Sequence, residues 1–153
     1  YAANQLAVWI EDENGVFIKT LYATRFTAKG GFRERADAIP VWVERSGISN
    51  ATDADAVTGA TPKSGTLQYV WDLTDDTGER VANGTYRFYV EGTLRWKNRV
   101  LFSGEIKLDG SATSVDATPE YIYEASADQP ALTDESPENE MITLVHAAYI
   151  PPN

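Results

Sequence analysis

Residues 66–93, TLQYVWDLTDDTGERVANGTYRFYVEGT, carry the pattern that decides the fold. Leu67, Tyr69 and Trp71 fall on one face of an extended chain, and Tyr86, Phe88 and Val90 do the same, so the stretch predicts two strands with one apolar face each. Between them lie Asp75-Asp76, Gly78 and Asn83-Gly84. These residue types suit turns, because an Asp side chain bonds to nearby backbone and Gly reaches positive φ without steric cost. Residues 72–84 are too many for a two-residue turn, so a wider loop or an extra small turn has to close the connection.

Upstream, QLAVWIED (5–12) and VFIKTLYA (16–23) also alternate, and Asn14-Gly15 between them predicts a tight hairpin. Residues 24–65 break the rhythm and predict a long loop, an uncommon feature unless it has a function. An apolar island at Ile39, Val41, Trp42 and Val43 reads either as a short helix starting near Pro40 or as a short strand. Downstream, NRVLFSGEIKL (98–108), PEYIYEA (119–125) and MITLVHAAYI (141–150) read as strands, with Gly104 marking a bulge or a close backbone approach. Residues 126–139 are acidic, carry two prolines and have few apolar anchors, which predicts a mobile loop.

At 153 residues, the chain has the length of one domain, taken here as 1–153. Four Trp, eight Tyr and five Phe favour strands over a helical bundle. The expected architecture is an all-β, Ig-like antiparallel sandwich of about seven strands, with a short helix in the long loop. The formal charge of −10 is uneven: residues 108–153 hold nine acids and no Lys or Arg, whereas residues 1–107 hold fourteen acids and thirteen bases. Such a balance argues against nucleic acid and against anionic lipid as partners. The absence of Cys removes disulfides, thiolate metal sites and cysteine nucleophiles. No apolar run is long enough to predict a membrane span. A chain that opens at Tyr1 reads as a processed segment from which a targeting signal has been removed.

Residues 71–90 carry a resemblance. Trp71-Asp72, Asp75-Asp76-Thr77-Gly78 and Gly84-Thr85-Tyr86 are similar to the recurrent pattern of the Ig-like module of flagellar hook-capping proteins. The order of segments over residues 5–108 resembles a family of predicted bacterial periplasmic proteins of unknown function. Two departures stand out: GTLRWKNRVLFSG lacks a His-containing segment associated with many members, and the resemblance carries no established activity. It implies a periplasmic or extracellular location.

Asp55-Ala56-Val57-Thr58-Gly59-Ala60-Thr61 is similar to the acceptor motif of bacterial flavin transferases, which join FMN through a phosphoester to the last Thr. The resemblance implies covalent FMN on Thr61, with Asp55, Thr58, Gly59 and Ala60 as recognition elements. A transferase needs an exposed hydroxyl on an extended segment, and small neighbours let it approach. The alternative is a plain loop shaped by Gly59 and Pro62, in which Asp55 and Thr58 bond locally.

The remaining chemistry-bearing residues have blander readings beside them. Asp72, Asp75, Asp76 and Glu79 offer oxygen atoms to a hard cation but lack the spacing of a calcium loop, and turn chemistry explains them. His146 is the only His, which suits a strand-face residue better than a metal ligand or a catalytic base. Trp9 and Trp71 are in phase with strand neighbours and read as core, whereas Trp96 within RWKNR reads as an exposed hairpin tip or a receptor for an acidic group. The sequons at Asn50 and Asn83 read as incidental.

No nucleophile, base and orienting group form a visible set, so a non-catalytic role is expected. One function is an accessory or electron carrier in an envelope redox system, partnered by a redox protein or a flavin transferase. The alternative is a structural module that associates with other proteins through its sandwich surface or strand edges.

Overall fold

The computed structural model describes residues 5–24, 39–47, 58–59 and 65–152. The first hairpin forms as the alternation requires, from β1 (Leu6–Asp12) and β2 (Phe17–Thr24). Its loop spans residues 13–16. Gly15 N donates to Asp12 O at 3.1 Å, Asp12 N donates to Val16 O at 2.9 Å, and of Asn14-Gly15 only Gly15 takes a positive φ, at 82°. This is a turn closed by a left-handed Gly, in place of the tighter two-residue form. Asp12 Oδ1 accepts the backbone N–H groups of Asn14 and Val16 and so holds the loop.

The same device recurs at residues 75–79. Gly78 N donates to Asp75 O, Asp75 N donates to Glu79 O, and Asp75 Oδ1 accepts the N–H groups of Thr77 and Glu79. The acidic run between the two predicted strands is therefore built as a turn, as its composition suggests.

A second, longer hairpin is the centre of the molecule: β4 (Gly84–Arg95) pairs antiparallel with β5 (Asn98–Leu108). Counting β3 (Thr58–Gly59), β6 (Thr113–Asp116), β7 (Thr118–Ile122) and β8 (His146–Tyr149), the described residues hold eight strands. Six form one sheet in the order β3-β2-β1-β4-β5-β7, and β6 pairs with β8 in a second. All pairings are antiparallel except the two-residue contact of β3 with β2. Among the described residues of the long connection lies an α-helix, α1 (Pro40–Ser46), which resolves the choice between helix and strand there.

β1 and β4 lie in the middle of the large sheet and are covered on both faces. On one face Ala7, Trp9, Ala23 and Tyr89 pack with Ile39 and Trp42 at α1. On the other, Ile10, Tyr86, Phe88, Ile106 and Leu108 pack against Val115, Ala147 and Tyr149 of the small sheet and against Trp71, Leu73 and Val81. A third cluster joins Leu94, Val100 and Phe102 to Leu132. Burial of these side chains contributes roughly 25 cal/mol for each Å² of apolar surface removed from water.

Three sequence expectations are corrected here. Residues 66–71 belong to neither sheet. Their alternation holds only in part: Tyr69 meets Tyr22 at 4.9 Å and Trp71 meets Tyr86 edge-on at 5.3 Å, with Val70 between them facing solvent, but Leu67, expected on the same face as the two rings, is exposed. The period of two specifies an extended chain, and here aromatic side chains attach it to the sheet without a ladder of hydrogen bonds. Second, the Ser/Thr/Asp-rich stretch before residue 119 contains β6, which its polar composition concealed. Third, the last strand is only His146–Tyr149, and Met141 belongs to a 3-10 helix (Pro137–Met141).

Gly104 marks a close approach, by a ring rather than a backbone. It is the register partner of Phe88, and a Cβ added there would lie 2.6 Å from Phe88 Cζ. The Phe88 ring thus covers the strand where a side chain is missing. Gly104→Ala is expected to cost about 2 kcal/mol through overpacking. Chemical denaturation measures it, and a loss of only a few tenths would show that the ring moves aside freely.

Candidate functional site

Of the residues singled out for flavin attachment, Asp55, Ala60 and Thr61 lie outside the described residues, and so does the sequon at Asn50. The backbone of Thr58 and Gly59 forms β3, in register with Ala23 and Thr24. It runs extended along the outer edge of the large sheet. The β2 end that receives it is anchored: Thr24 is buried, and its Oγ1 accepts Leu6 N at 2.8 Å and donates to Leu6 O at 3.2 Å.

The same connection is held a second time, at α1, by two buried glutamates. α1 starts at Pro40, and Ile39 before it offers no side-chain cap. A helix start leaves N–H groups without intrahelical partners. Glu91, from the centre of β4, supplies the missing acceptors: Oε2 accepts Val41 N at 3.1 Å and Oε1 accepts Trp42 N at 2.8 Å. Trp42 Nε1 donates to Thr20 Oγ1 at 3.0 Å, tying the helix to β2 as well. α1 and β3 are therefore both fastened to one strand, β2.

Glu11, also fully buried, receives Trp9 Nε1 at 2.7 Å and Arg45 Nη1 at 3.0 and 2.9 Å. Trp9 stacks on Tyr89 at 5.1 Å with an 11° tilt, and the guanidinium carbons of Arg45 and Arg87 lie 5.3 and 5.8 Å from the Tyr89 ring centre. Arg99 Nε stands 3.8 Å from Glu91 Oε2. Two carboxylates, two aromatic rings and the flanking guanidinium groups thus form one connected layer beneath α1. Burial pushes Glu91 up to about 7, against the opposing pull of the α1 N–H groups and of Arg99 and Arg45.

Sequence reasoning missed this layer. Its signal lay in a repeated aromatic-x-Glu, Trp9-Ile10-Glu11 and Tyr89-Val90-Glu91, on two strands whose apolar residues occur on both faces. An acid in phase with a buried aromatic on such a strand has to be buried with a partner.

Elsewhere the predicted candidates resolve into structural roles. Asp72 Oδ1 accepts Thr74 N at 3.1 Å, Thr74 Oγ1 at 2.5 Å and Lys19 Nζ at 3.2 Å, while Trp71 Nε1 donates to Thr74 O at 2.8 Å. The Thr74 hydroxyl and then Lys19 hold Asp72 below its ordinary range, and Thr77 does the same for Asp75. Their oxygen atoms serve the turn. Among the described residues, no three His, Asp or Glu side chains group as ligands for one metal ion. His146 is a strand residue of β8, with Nδ1 at 2.6 Å from Asp116 Oδ1 across the small sheet.

The basic RWKNR segment is not a uniform solvated cluster. Arg95 Nη1 pairs with Glu138 at 3.0 Å, Arg99 turns toward Glu91, and Asn98 is buried. Trp96 sits at the hairpin tip with φ 50° and is 43% exposed, as its setting suggested.

One family model, described as Predicted periplasmic protein (DUF2271), matches residues 1–124. No curated protein and no solved structure matches the chain.

Proposed function

The chain belongs to the family of predicted periplasmic proteins DUF2271, and on that footing we propose that it is a non-catalytic carrier in a cell-envelope redox system, with FMN esterified to Thr61. Its location is periplasmic, and no helix among the described residues is long and apolar enough to cross a membrane. The observation that carries the reading is the backbone of Thr58–Gly59, which forms the outermost strand of the sheet among the described residues and lies within Asp55–Thr61. An extended edge segment fits the groove of a modifying enzyme far better than a helix would. The flavin supplies the redox chemistry when bound. The protein's part is to hold the acceptor segment: β3 fixes it on one side, and Glu91, through α1, fixes the same connection on the other.

An Ig-like sandwich is the architecture that accompanies this proposal. It is supported by Tyr86, whose hydroxyl donates to Ala82 O at 2.6 Å, four residues upstream at the start of β4, in the manner of a tyrosine corner.

Intact-mass measurement and a visible spectrum of protein made with a flavin transferase test the proposal. The expected result is an added mass of one FMN less water, a flavin absorption band, and loss of both in Thr61→Ala. Unmodified protein from the native host would sink it.

A second reading, an assembly module resembling the hook-cap domain, is favoured by exposed aliphatic side chains at Val70, Leu144 and Ile150. A concentration-dependent oligomer without a chromophore, seen by size-exclusion chromatography, would select it.

A further inference from the structure

We propose that the cavity between β7 and the 3-10 helix is a binding site for a guanidinium group, borne by a small molecule or by an exposed arginine of a peptide. The cavity measures about 380 Å³ and is lined by Tyr121, Tyr123, Asp134, Asn139, Glu140 and Thr143. That volume is at the lower end of ligand sites and takes one arginine-sized side chain.

Its wall is prearranged. Tyr121 and Tyr123 are two residues apart around the end of β7 and stack at 6.0 Å with an 18° tilt. They pack against the Leu94, Val100, Phe102 and Leu132 cluster, so the rings are held by the core rather than free in solvent. Asn139 fixes the Tyr123 hydroxyl, donating Nδ2 to it at 3.0 Å, and the same Nδ2 donates to Thr133 O at 3.0 Å.

The chemistry of the lining is one-sided. Asp134 and Glu140 bring two carboxylates, and among the described residues neither has a Lys or Arg partner, unlike neighbouring Glu138, which is bound to Arg95. Residues 108–153 contain no Lys or Arg to supply one. Aromatic faces and carboxylates together call for a ligand that is positive, planar and made of donors. A guanidinium meets all three demands, stacking on tyrosine while its fork of N–H groups meets carboxylate, whereas an ammonium satisfies only the charge.

Titration of the whole isotope-labelled chain with argininamide, followed by NMR, tests the proposal. Saturable shifts are expected, centred on Tyr121, Tyr123 and the Asn139 side-chain amide. Citrullinamide, of the same shape but uncharged, should leave them unmoved. An Asp134→Asn, Glu140→Gln double variant should weaken binding about tenfold, the equivalent of losing one charge-assisted hydrogen bond, and Tyr121→Leu should weaken it independently. Spectral dispersion reports that each variant is folded. A capped Gly-Arg-Gly peptide binding more tightly than argininamide identifies a peptide as the source, and equal binding identifies the free group. Shifts spread evenly over all the acids of residues 109–138, equal binding of citrullinamide, or unchanged binding by the double variant would each overturn the proposal.

Discussion

Glu91→Ala is expected to lower the unfolding free energy by about 4 kcal/mol, because it strips α1 of both of its N-terminal acceptors and leaves Arg99 facing an empty, buried position. Glu91→Gln should cost less, since the amide oxygen keeps one of the two N–H bonds and the change removes a buried charge, while its NH2 leaves the other N–H without an acceptor. The two variants also separate by pH. Glu91 is raised by burial from 4.5 to about 7, so between those values the folded chain holds a proton that the unfolded chain has released. Stability contributed by this group is therefore full below about pH 4.5, falls as pH rises toward 7, and is level above it. The change amounts to about 3 kcal/mol across the interval.

Arg99 and Arg45 both favour the ionised form of Glu91, so the rise comes from burial working against them. Asp72 and Asp75 act in a separate window. Their ranges are depressed below 3.8, and what they contribute is lost only as pH falls below that value. Urea denaturation between pH 5 and 8 checks the sign: the wild type should be more stable at the acid end, and Glu91→Gln should lose that slope. Parallel profiles for the two proteins would show that Glu91 is not the group responsible.

Asn98→Leu is the second large effect, expected at about 3 kcal/mol. Asn98 lies at the turn of the central hairpin, fully buried, and its Oδ1 accepts Glu124 N at 2.9 Å and Leu132 N at 3.0 Å while Nδ2 donates to Arg95 O at 2.9 Å. Leucine fills the volume but leaves two buried N–H groups without acceptors, each worth about 1–3 kcal/mol. The damage should be directional. Hydrogen exchange at Leu132 and Glu124 should accelerate well beyond that of the β1 and β4 amides. A loss below about 1 kcal/mol, or uniform acceleration across both sheets, would mean that the acidic segment holds itself without Asn98.

These two residues show what was legible. Alternation located β1, β2, β4 and β5 closely, because a strand buried on one or both faces has to repeat apolar residues at a fixed spacing. Asn14-Gly15 and Asp75–Gly78 were readable as turns, because positive φ and local side-chain acceptors are properties of the residues themselves. Residues 66–71 were misread for the same physical reason: period two reports extension, and extension does not say whether a neighbouring strand is present. Asn98 sat in a stretch that reads as a solvated tip, and its three hydrogen bonds reach residues up to 34 positions away. Leu132, the apolar anchor of the acidic segment, was invisible among its polar neighbours until the third cluster closed over it.

The candidate acceptor motif was legible only as a pattern of residue types, and Thr58–Gly59 is the part of it to which the structure gives a place. The carboxylate layer beneath α1 was not legible at all. What the sequence by itself determined was local: which segments alternate as extended chain, where the chain must turn, and that the acidic end lacks Lys and Arg of its own. Only the tertiary structure decided which carboxylates lose water and which backbone groups they must then serve. Glu91 and Glu44 are the same residue type a few tens of positions apart, yet the fold buries Glu91 completely and leaves Glu44 exposed. Desolvation and long-range pairing are properties of where a side chain ends up, and that placement is set by strands and helix packing together, which no single stretch of the chain encodes.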